Sequence, residues 1–143
     1  MKNYVATAER NNGIMFFELE HREKSFSKLD LILRIFGNAS KDILESKQRV
    51  GGIFLVLNRP FTRKFFEDCL AIAIESNYHY LDDSRSGIQE LPDFIGHRHD
   101  QSIISLMSKR HGFPAIPDET YPQDFVESQK FPIFAARRKV KTL

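Results

Sequence analysis

The chain has a single cysteine, no tryptophan and no apolar run approaching the length that crosses a bilayer. Cys69 alone excludes an intramolecular disulfide and any metal site built from cysteines. Its setting in the apolar run "FFEDCLAIAI" predicts a buried structural thiol. No window reaches the roughly 18 apolar residues that a spanning helix needs. Residues 1–20 also lack the basic start and unbroken apolar stretch of a signal peptide. The expectation is a cytoplasmic protein with at most peripheral contact to the inner face of a membrane. Charge of one sign is scarce too. Lys plus Arg exceed Asp plus Glu by 21 to 19, a formal +2, so no global field points to nucleic acid. The exception is "ARRKVK" near the end, where Arg137, Arg138, Lys139 and Lys141 cluster without an acid and favour phosphate or an anionic surface, unless they are simply a solvated tail.

What is present fits one α/β domain over residues 1–143. A chain of 143 residues buries about two-thirds of its unfolded surface. Its 13 phenylalanines point to a core of large flat side chains. "GIMFFEL" (13–19) follows the turn signal "RNNG" and reads as a buried strand. "SFSKLDLILRIFG" reads as a helix capped by Ser27 and ending at Gly37. "GGIFLVLN" (51–58) reads as a central strand. "FTRKFFEDCLAIAIES" reads as a helix with Thr62 at its N-cap and Phe65, Phe66, Cys69, Leu70 and Ala73 facing one way. Residues 77–98 have no period, and a loop of that length in a small domain is more often functional than idle. A helix follows to Gly112, then the irregular "FPAIPDETYP", then a last strand in "KFPIFAARRK". Repeats and low-complexity segments are absent.

The stretch "GHRHDQSIISLMSKRHGF" (96–113) holds three of the five histidines. If its helix begins near residue 100, Asp100 is the N-cap and Ile103, Ile104, Leu106 and Met107 anchor it in the core. Three readings compete. One is an ordinary Asp cap with polar loop residues before it. A second is a metal site, because alternate residues of an extended segment put His97 and His99 on one side, beside Asp100; His-x-His alone is a weak signal. The third is a substrate site, with Asp100 as base or hydroxyl acceptor, Gln101 as hydrogen-bonding partner, and the histidines and Arg98 against sugar or phosphate. His111 sits roughly 16 Å along the helix from Asp100, too far to share one ion. Tyr4 and Tyr121 are aromatic candidates for stacking, with packing the simpler role. His21 and His79 have no partner that spacing identifies, and Asp82 and Asp83 read as solvated loop acids.

The run "HRHDQSIISLMSKRHGF" resembles the C-terminal segment of bacterial glycosyltransferases and glycosyltransferase-like proteins with the GT-A nucleotide-sugar-transferase fold. "QRVGGIFLVLNRPFTRKFFEDCLAIA" and "FSKLDLILRIFG" are similar to further segments of that family, in the same order, so the likeness runs from about residue 13 to about 138. It implies transfer of a sugar from a nucleotide-diphosphate donor to a hydroxyl acceptor, in the synthesis of surface polysaccharide. It implies that Asp100 and Gln101 face sugar and acceptor, that Arg98 contacts phosphate, and that His97 or His99 joins a divalent ion, Mn or Mg, on the diphosphate. Gly51 and Gly52 would let the strand backbone approach the donor.

The likeness covers only the acceptor-side half of such an enzyme. The Asp-x-Asp motif that holds the metal in GT-A enzymes does not occur in these 143 residues, and the nucleotide-binding half that precedes the first matching strand is not among them. The resemblance therefore implies a partial GT-A architecture whose activity depends on a nucleotide-binding portion. A second class of function is an interaction module that pairs with a partner chain, or a second copy, through its open sheet side.

Overall fold

The computed structural model describes residues 3–121 and 125–135; the basic cluster Arg137, Arg138, Lys139 and Lys141 lies outside them. The element order is α1 (Tyr4–Arg10), β1 (Ile14–Arg22), α2 (Glu23–Phe26), α3 (Leu29–Phe36), α4 (Lys41–Leu44), β2 (Lys47–Val56), α5 (Pro60–Tyr78), α6 (His99–Arg110), β3 (Ala115–Pro117) and α7 (Phe125–Ser128). The fold is mixed α/β: a three-stranded sheet, order β2-β1-β3, flanked by helices. β1 runs antiparallel to β2 and parallel to β3.

β1 lies in the middle because it is apolar on both faces. Ile14 and Phe16 point into a core shared with α3, α5 and α6, while Met15 and Phe17 point to the other side, against Tyr4 and Ala8 of α1. All four are buried, as expected of a strand covered on both sides. Phenylalanines join the first core: Phe65 sits edge-on to Phe16 and Phe113, with ring centroids 6.1 and 5.1 Å away, and Phe54 stacks on Phe66 at 5.6 Å. No helix among the described residues is long and apolar enough to cross a membrane.

Several local expectations need correction. The strand at 51–58 is not central: β2 covers Lys47–Val56 and forms an edge. It also bulges. Phe16 pairs with Phe54 but Glu18 pairs with Arg49, so five residues of β2 span what two span on β1. Gly51 and Gly52 lie in that bulge, where a strand tolerates glycine best. The third strand forms at Ala115–Pro117, inside the proline-rich segment, and not within 130–135. α3 starts after Lys28, because the Ser27 hydroxyl is spent on Glu23 (2.6 Å). Its end is as expected, with Gly37 in the left-handed region at φ +74°. α5 is capped at Arg59, with Pro60 as its first residue; Thr62 reaches back to accept from the Arg59 N–H at 3.0 Å. Leu70 is exposed, whereas Phe65, Cys69 and Ile72 form the buried stripe. α5 breaks at Glu75–Asn77, and Ser76, Asn77 and Tyr78 all have positive φ.

A buried ionic network ties α6 to the sheet and α2. Glu23, fully buried, accepts from Ser27, Ser105 and Lys109. Arg49 pairs with Glu18 at 2.5 Å, and its own backbone N–H donates to Ser105 at 2.8 Å. Burial pulls both the Lys109 ammonium and the Arg49 guanidinium below their ordinary ranges, against the raising effect of Glu23 and Glu18. These contacts fix the height of α6 over the sheet, and hence the position of its N-terminus.

Candidate functional site

The 79–98 segment has no helix or strand among the described residues, yet it is closely fastened. Lys28, whose side chain is 2% exposed, points its ammonium into the segment. It donates to the His79 carbonyl at 2.5 Å, to Ser84 Oγ at 3.2 Å and to Asp82 Oδ1 at 3.4 Å. His79 bridges Asp30 Oδ2 at 2.6 Å and Ser84 Oγ at 3.0 Å. Asp30 Oδ2 also accepts from the Gly87 N–H at 3.1 Å. Burial alone would raise the Asp30 carboxyl, but the hydrogen bonds from His79 and Gly87 outweigh it and hold the group below its usual range. Asp82 is held at about 2, by the Ser84 hydroxyl and N–H first and then by Lys28.

The segment also supplies the cap that α3 lacks locally. Glu90 Oε2 accepts from the Leu29 N–H at 2.9 Å, at the first residue of the helix, where a carboxylate meets the free N–H groups and the positive end of the dipole. Further along, the Ile95 N–H donates to the Ser25 carbonyl at 2.8 Å and the Arg98 N–H to the Phe26 carbonyl at 3.1 Å. Three segments, "FSKLD", "LDDSRS" and "GHRHDQ", are thus knitted around one cleft of about 480 Å³ whose walls include Lys28, Ser84, Arg85, Glu90, Phe94 and His97.

His97 is partly buried, with Nε2 on the Tyr80 carbonyl at 2.9 Å. A carbonyl only accepts, so Nε2 carries the proton and Nδ1 holds a lone pair. That Nδ1 is buried without a hydrogen-bond partner. Desolvation, with smaller effects from Lys28 and His99, pushes the imidazole down to about 4, so it is neutral at pH 7. His99 is more open. Its Nε2 meets Asp83 Oδ1 at 2.8 Å, and its ring lies 5.7 Å from that of His97, nearly perpendicular.

α6 begins at His99, one residue earlier than expected, and Asp100 is not its N-cap. The N-cap is Arg98, and His99 takes φ +48°, a strained conformation for a non-glycine residue and one that recurs at functional sites. Asp100 lies exposed in the first turn, its Oδ1 accepting from the Gln101 N–H at 2.9 Å. Gln101 faces the sheet: its amide donates to the Arg49 carbonyl at 2.9 Å and to Gln48 Oε1 at 3.1 Å. Gly51 makes room for this side chain, since a Cβ there would fall 2.7 Å from the Gln101 Cβ. The space beside Gly51 is therefore filled by α6, and Gly52 faces open surroundings with the Tyr121 hydroxyl nearest. Arg98 lies over the Phe26 ring, 4.0 Å from CZ to centroid, with Nη1 3.4 Å from Gln48 Oε1. Neither Asp100 nor Gln101 lines the cleft; His97 does.

Of the other candidates, His111 packs among Phe61, Phe65 and Phe113. Tyr4 is buried against Phe17, its hydroxyl on Glu119. His21 packs on Phe26. Asp82 and Asp83, read as solvated acids, are indeed exposed, and from there they meet Lys28 and His99. Lys28 and Asp30 enter the sequence reading only within "FSKLDLILRIFG", with no role of their own, and Glu90 not at all. A lysine and an aspartate at the start of an apolar helix were the available signal. No group of three or more His, Cys, Asp or Glu residues among the described ones is arranged to hold a metal ion. Where the two imidazoles meet, Asp83 is the one carboxylate in contact, a donor set poorly matched to the oxygen-rich spheres of Mg or Mn. The chain matches no family model, no curated protein and no solved structure.

Proposed function

We propose that this domain is the acceptor-side part of a glycosyltransferase-like protein of partial GT-A architecture, working in the cytoplasm on surface polysaccharide. It would serve transfer of a sugar from a nucleotide-sugar donor to a hydroxyl acceptor. The observation that carries this reading is the meeting of "FSKLD", "LDDSRS" and "GHRHDQ" around one cleft, since the first and third are segments on which the resemblance rests. In the reaction, an acceptor oxygen forms the new bond to the anomeric carbon, the bond to the diphosphate breaks with its electron pair, and the acceptor proton passes to a base. Asp100, exposed next to His99 and outside the residues that line the cleft, is the proposed base or hydroxyl partner, and Gln101 holds α6 in register beside it. No step is routed through a metal ion.

The test is calorimetric titration of the chain with nucleotide diphosphates and nucleotide sugars, with and without manganese, followed by turnover assays on the complete enzyme. Binding that weakens in Asp100→Asn and His99→Ala supports the reading. Turnover of the complete enzyme that is unchanged by Asp100→Asn sinks the catalytic role of that residue. A second reading, a pairing module, draws on the β2 edge and on exposed Leu70 and Ile74 of α5. Sedimentation showing a monomer across micromolar concentrations counts against pairing with a second copy.

A further inference from the structure

One end of the edge strand β2 is covered and the other is open. At Arg49 the backbone N–H donates to Ser105 and the carbonyl accepts from Gln101, so α6 closes that end. Beyond the bulge, the Leu57 N–H donates to the Gly13 carbonyl at 2.8 Å, and Leu55 pairs with Met15. Backbone groups alternate sides along a strand, so Leu55 and Leu57 turn theirs to β1, and Phe54 and Val56 turn theirs outward. Among the described residues no further strand meets them. Open edges are ordinarily guarded by lysine, proline or a covering element. Residues 50–57, "VGGIFLVL", contain no charge and no proline.

The neighbouring face of α5 matches its own rotated image. Phe66 stacks on Phe54 at 5.6 Å, and an open groove of about 530 Å³ is walled by Val56, Thr62, Phe66 and Leu70. Leu70 and Ile74 stand out from the helix, 59% and 52% exposed. Arg63 and Glu67 flank the groove one helical turn apart. Arg63 is bonded to Asn58 (2.7 Å) and not to an acid, and Glu67 enters no ion pair among the described residues. Their neighbours Lys64 and Asp68 are already paired with each other. A face with one unmatched cation and one unmatched anion complements itself when two copies meet about a twofold axis.

One axis satisfies strand, charges and groove together. Placed at Leu55, it sets Phe54 opposite Val56 of the second copy. Such a pair exchanges both N–H···O bonds, and the axis repeats it, giving about four. The same axis passes beside Phe66, because Phe66 lies on Phe54. The two α5 helices then run antiparallel, with Arg63 opposite Glu67 of the second copy, twice. Each Leu70 comes level with Thr62 of the other copy, at the wall of its groove.

We propose that this face is a self-association surface, on which two copies join β2 to β2 in one continuous sheet with α5 packed against α5. The inference rests on the pairing reading and names its partner; the transferase reading is not involved. The occupant is a second copy because the two unmatched charges cancel against each other across the axis and leave none over.

The experiment is sedimentation equilibrium of the full chain from micromolar to submillimolar concentration, with amide hydrogen exchange at both extremes. The expected result is a monomer–dimer equilibrium, with Phe54 and Val56 exchanging fast when dilute and slowly when concentrated. Arg63→Glu and Glu67→Arg should each weaken the dimer about tenfold, since each sets like charges together twice. An equimolar mixture of the two variants should restore it, because each supplies the charge the other lacks. Leu70→Ser should also weaken it about tenfold, while Ile95→Ser, exposed outside this face, stays within about twofold. Arg63, Glu67 and Leu70 are all exposed, so these changes do not threaten the fold. A monomer throughout overturns the inference and leaves pairing with a different chain standing. A dimer that ignores both charge variants, or variants that do not recover on mixing, also overturns it, while pairing through another face stands. Protection of Phe54 and Val56 in the monomer means that the edge is already covered, and the pairing reading then falls with the inference.

Discussion

Gly51 and Gly52 are neighbours in one bulge, and alanine should affect them with opposite signs. At Gly51 the added methyl meets the Gln101 side chain at 2.7, 2.9 and 3.1 Å. Gln101 cannot easily retreat, because its Cβ is fixed to α6 and its amide is held by Gln48 and the Arg49 carbonyl. Overpacking of this kind costs about 1–3 kcal/mol. The loss of backbone freedom in the unfolded chain returns about 0.4–1 kcal/mol. The net for Gly51→Ala is about 0–2.5 kcal/mol of destabilisation, or a fall in Tm of up to about 8 °C for a chain of this length. At Gly52 the nearest atom is the Tyr121 hydroxyl at 3.9 Å and φ lies outside the left-handed region. Only the favourable part remains, and Gly52→Ala should raise Tm by about 1–3 °C. Thermal and urea unfolding of the two variants decides the matter. Equal shifts of the same sign would refute the seating of α6 on the bulge. A Gly51→Ala chain of undiminished stability that no longer bound a nucleotide sugar would return that glycine to the donor-approach role implied by the family likeness.

Glu23→Gln should cost about 2–4 kcal/mol in urea unfolding, because it leaves the Lys109 ammonium buried without its counter-charge; a loss below about 0.5 kcal/mol would show the network to be ornamental. His97 should make the fold acid-sensitive. Its folded value, about 4, lies below the unfolded 6.5. The unfolded state therefore binds the extra proton between those limits, and stability present above pH 6.5 declines as pH falls towards 4. With screening allowed for, the loss is about 1–2 kcal/mol, and urea midpoints of His97→Gln should lack that slope. Cys69, buried and pushed up to about 12 by desolvation, should resist a thiol reagent such as Ellman's at pH 8 in the native protein and react at once in denaturant. Rapid native labelling would contradict its burial.

The elements that were legible in the sequence are those whose signal is local and redundant. β1 announces itself through four consecutive apolar residues after a glycine turn, and α6 through Ile103, Leu106 and Met107 at helical spacing. The edge position of β2 was hidden, because its apolar residues are the same in kind as those of a central strand and only pairing distinguishes them. β3 is three residues long and too short to carry a pattern. Ser27, Thr62 and Asp100 each have the chemistry of an N-cap, but Ser27 bonds Glu23, Thr62 acts from inside the first turn, and Asp100 follows an N-cap at Arg98. At the candidate site, His97 and His99 stand out by their spacing, whereas Lys28, Asp30 and Glu90 acquire meaning only from contacts across 49 to 61 residues of chain. Spacing does not reveal such contacts.

The Glu90–Leu29 hydrogen bond closes a span of 61 residues with one carboxylate. A helix whose first N–H group is capped from so far away does not finish forming on its own. Its leading turn and the loop that caps it must be gained and lost together, as one cooperative unit within the larger fold. Lys28 and Asp30 belong to that same turn and hold that same loop, so whatever opens the loop also frays the helix. The cleft's readiness for a ligand is then a matter of local folding equilibrium: a molecule seated in it would tighten the first turn of α3, and hydrogen exchange at Leu29 would register the event although Leu29 is not among the residues that line the cleft.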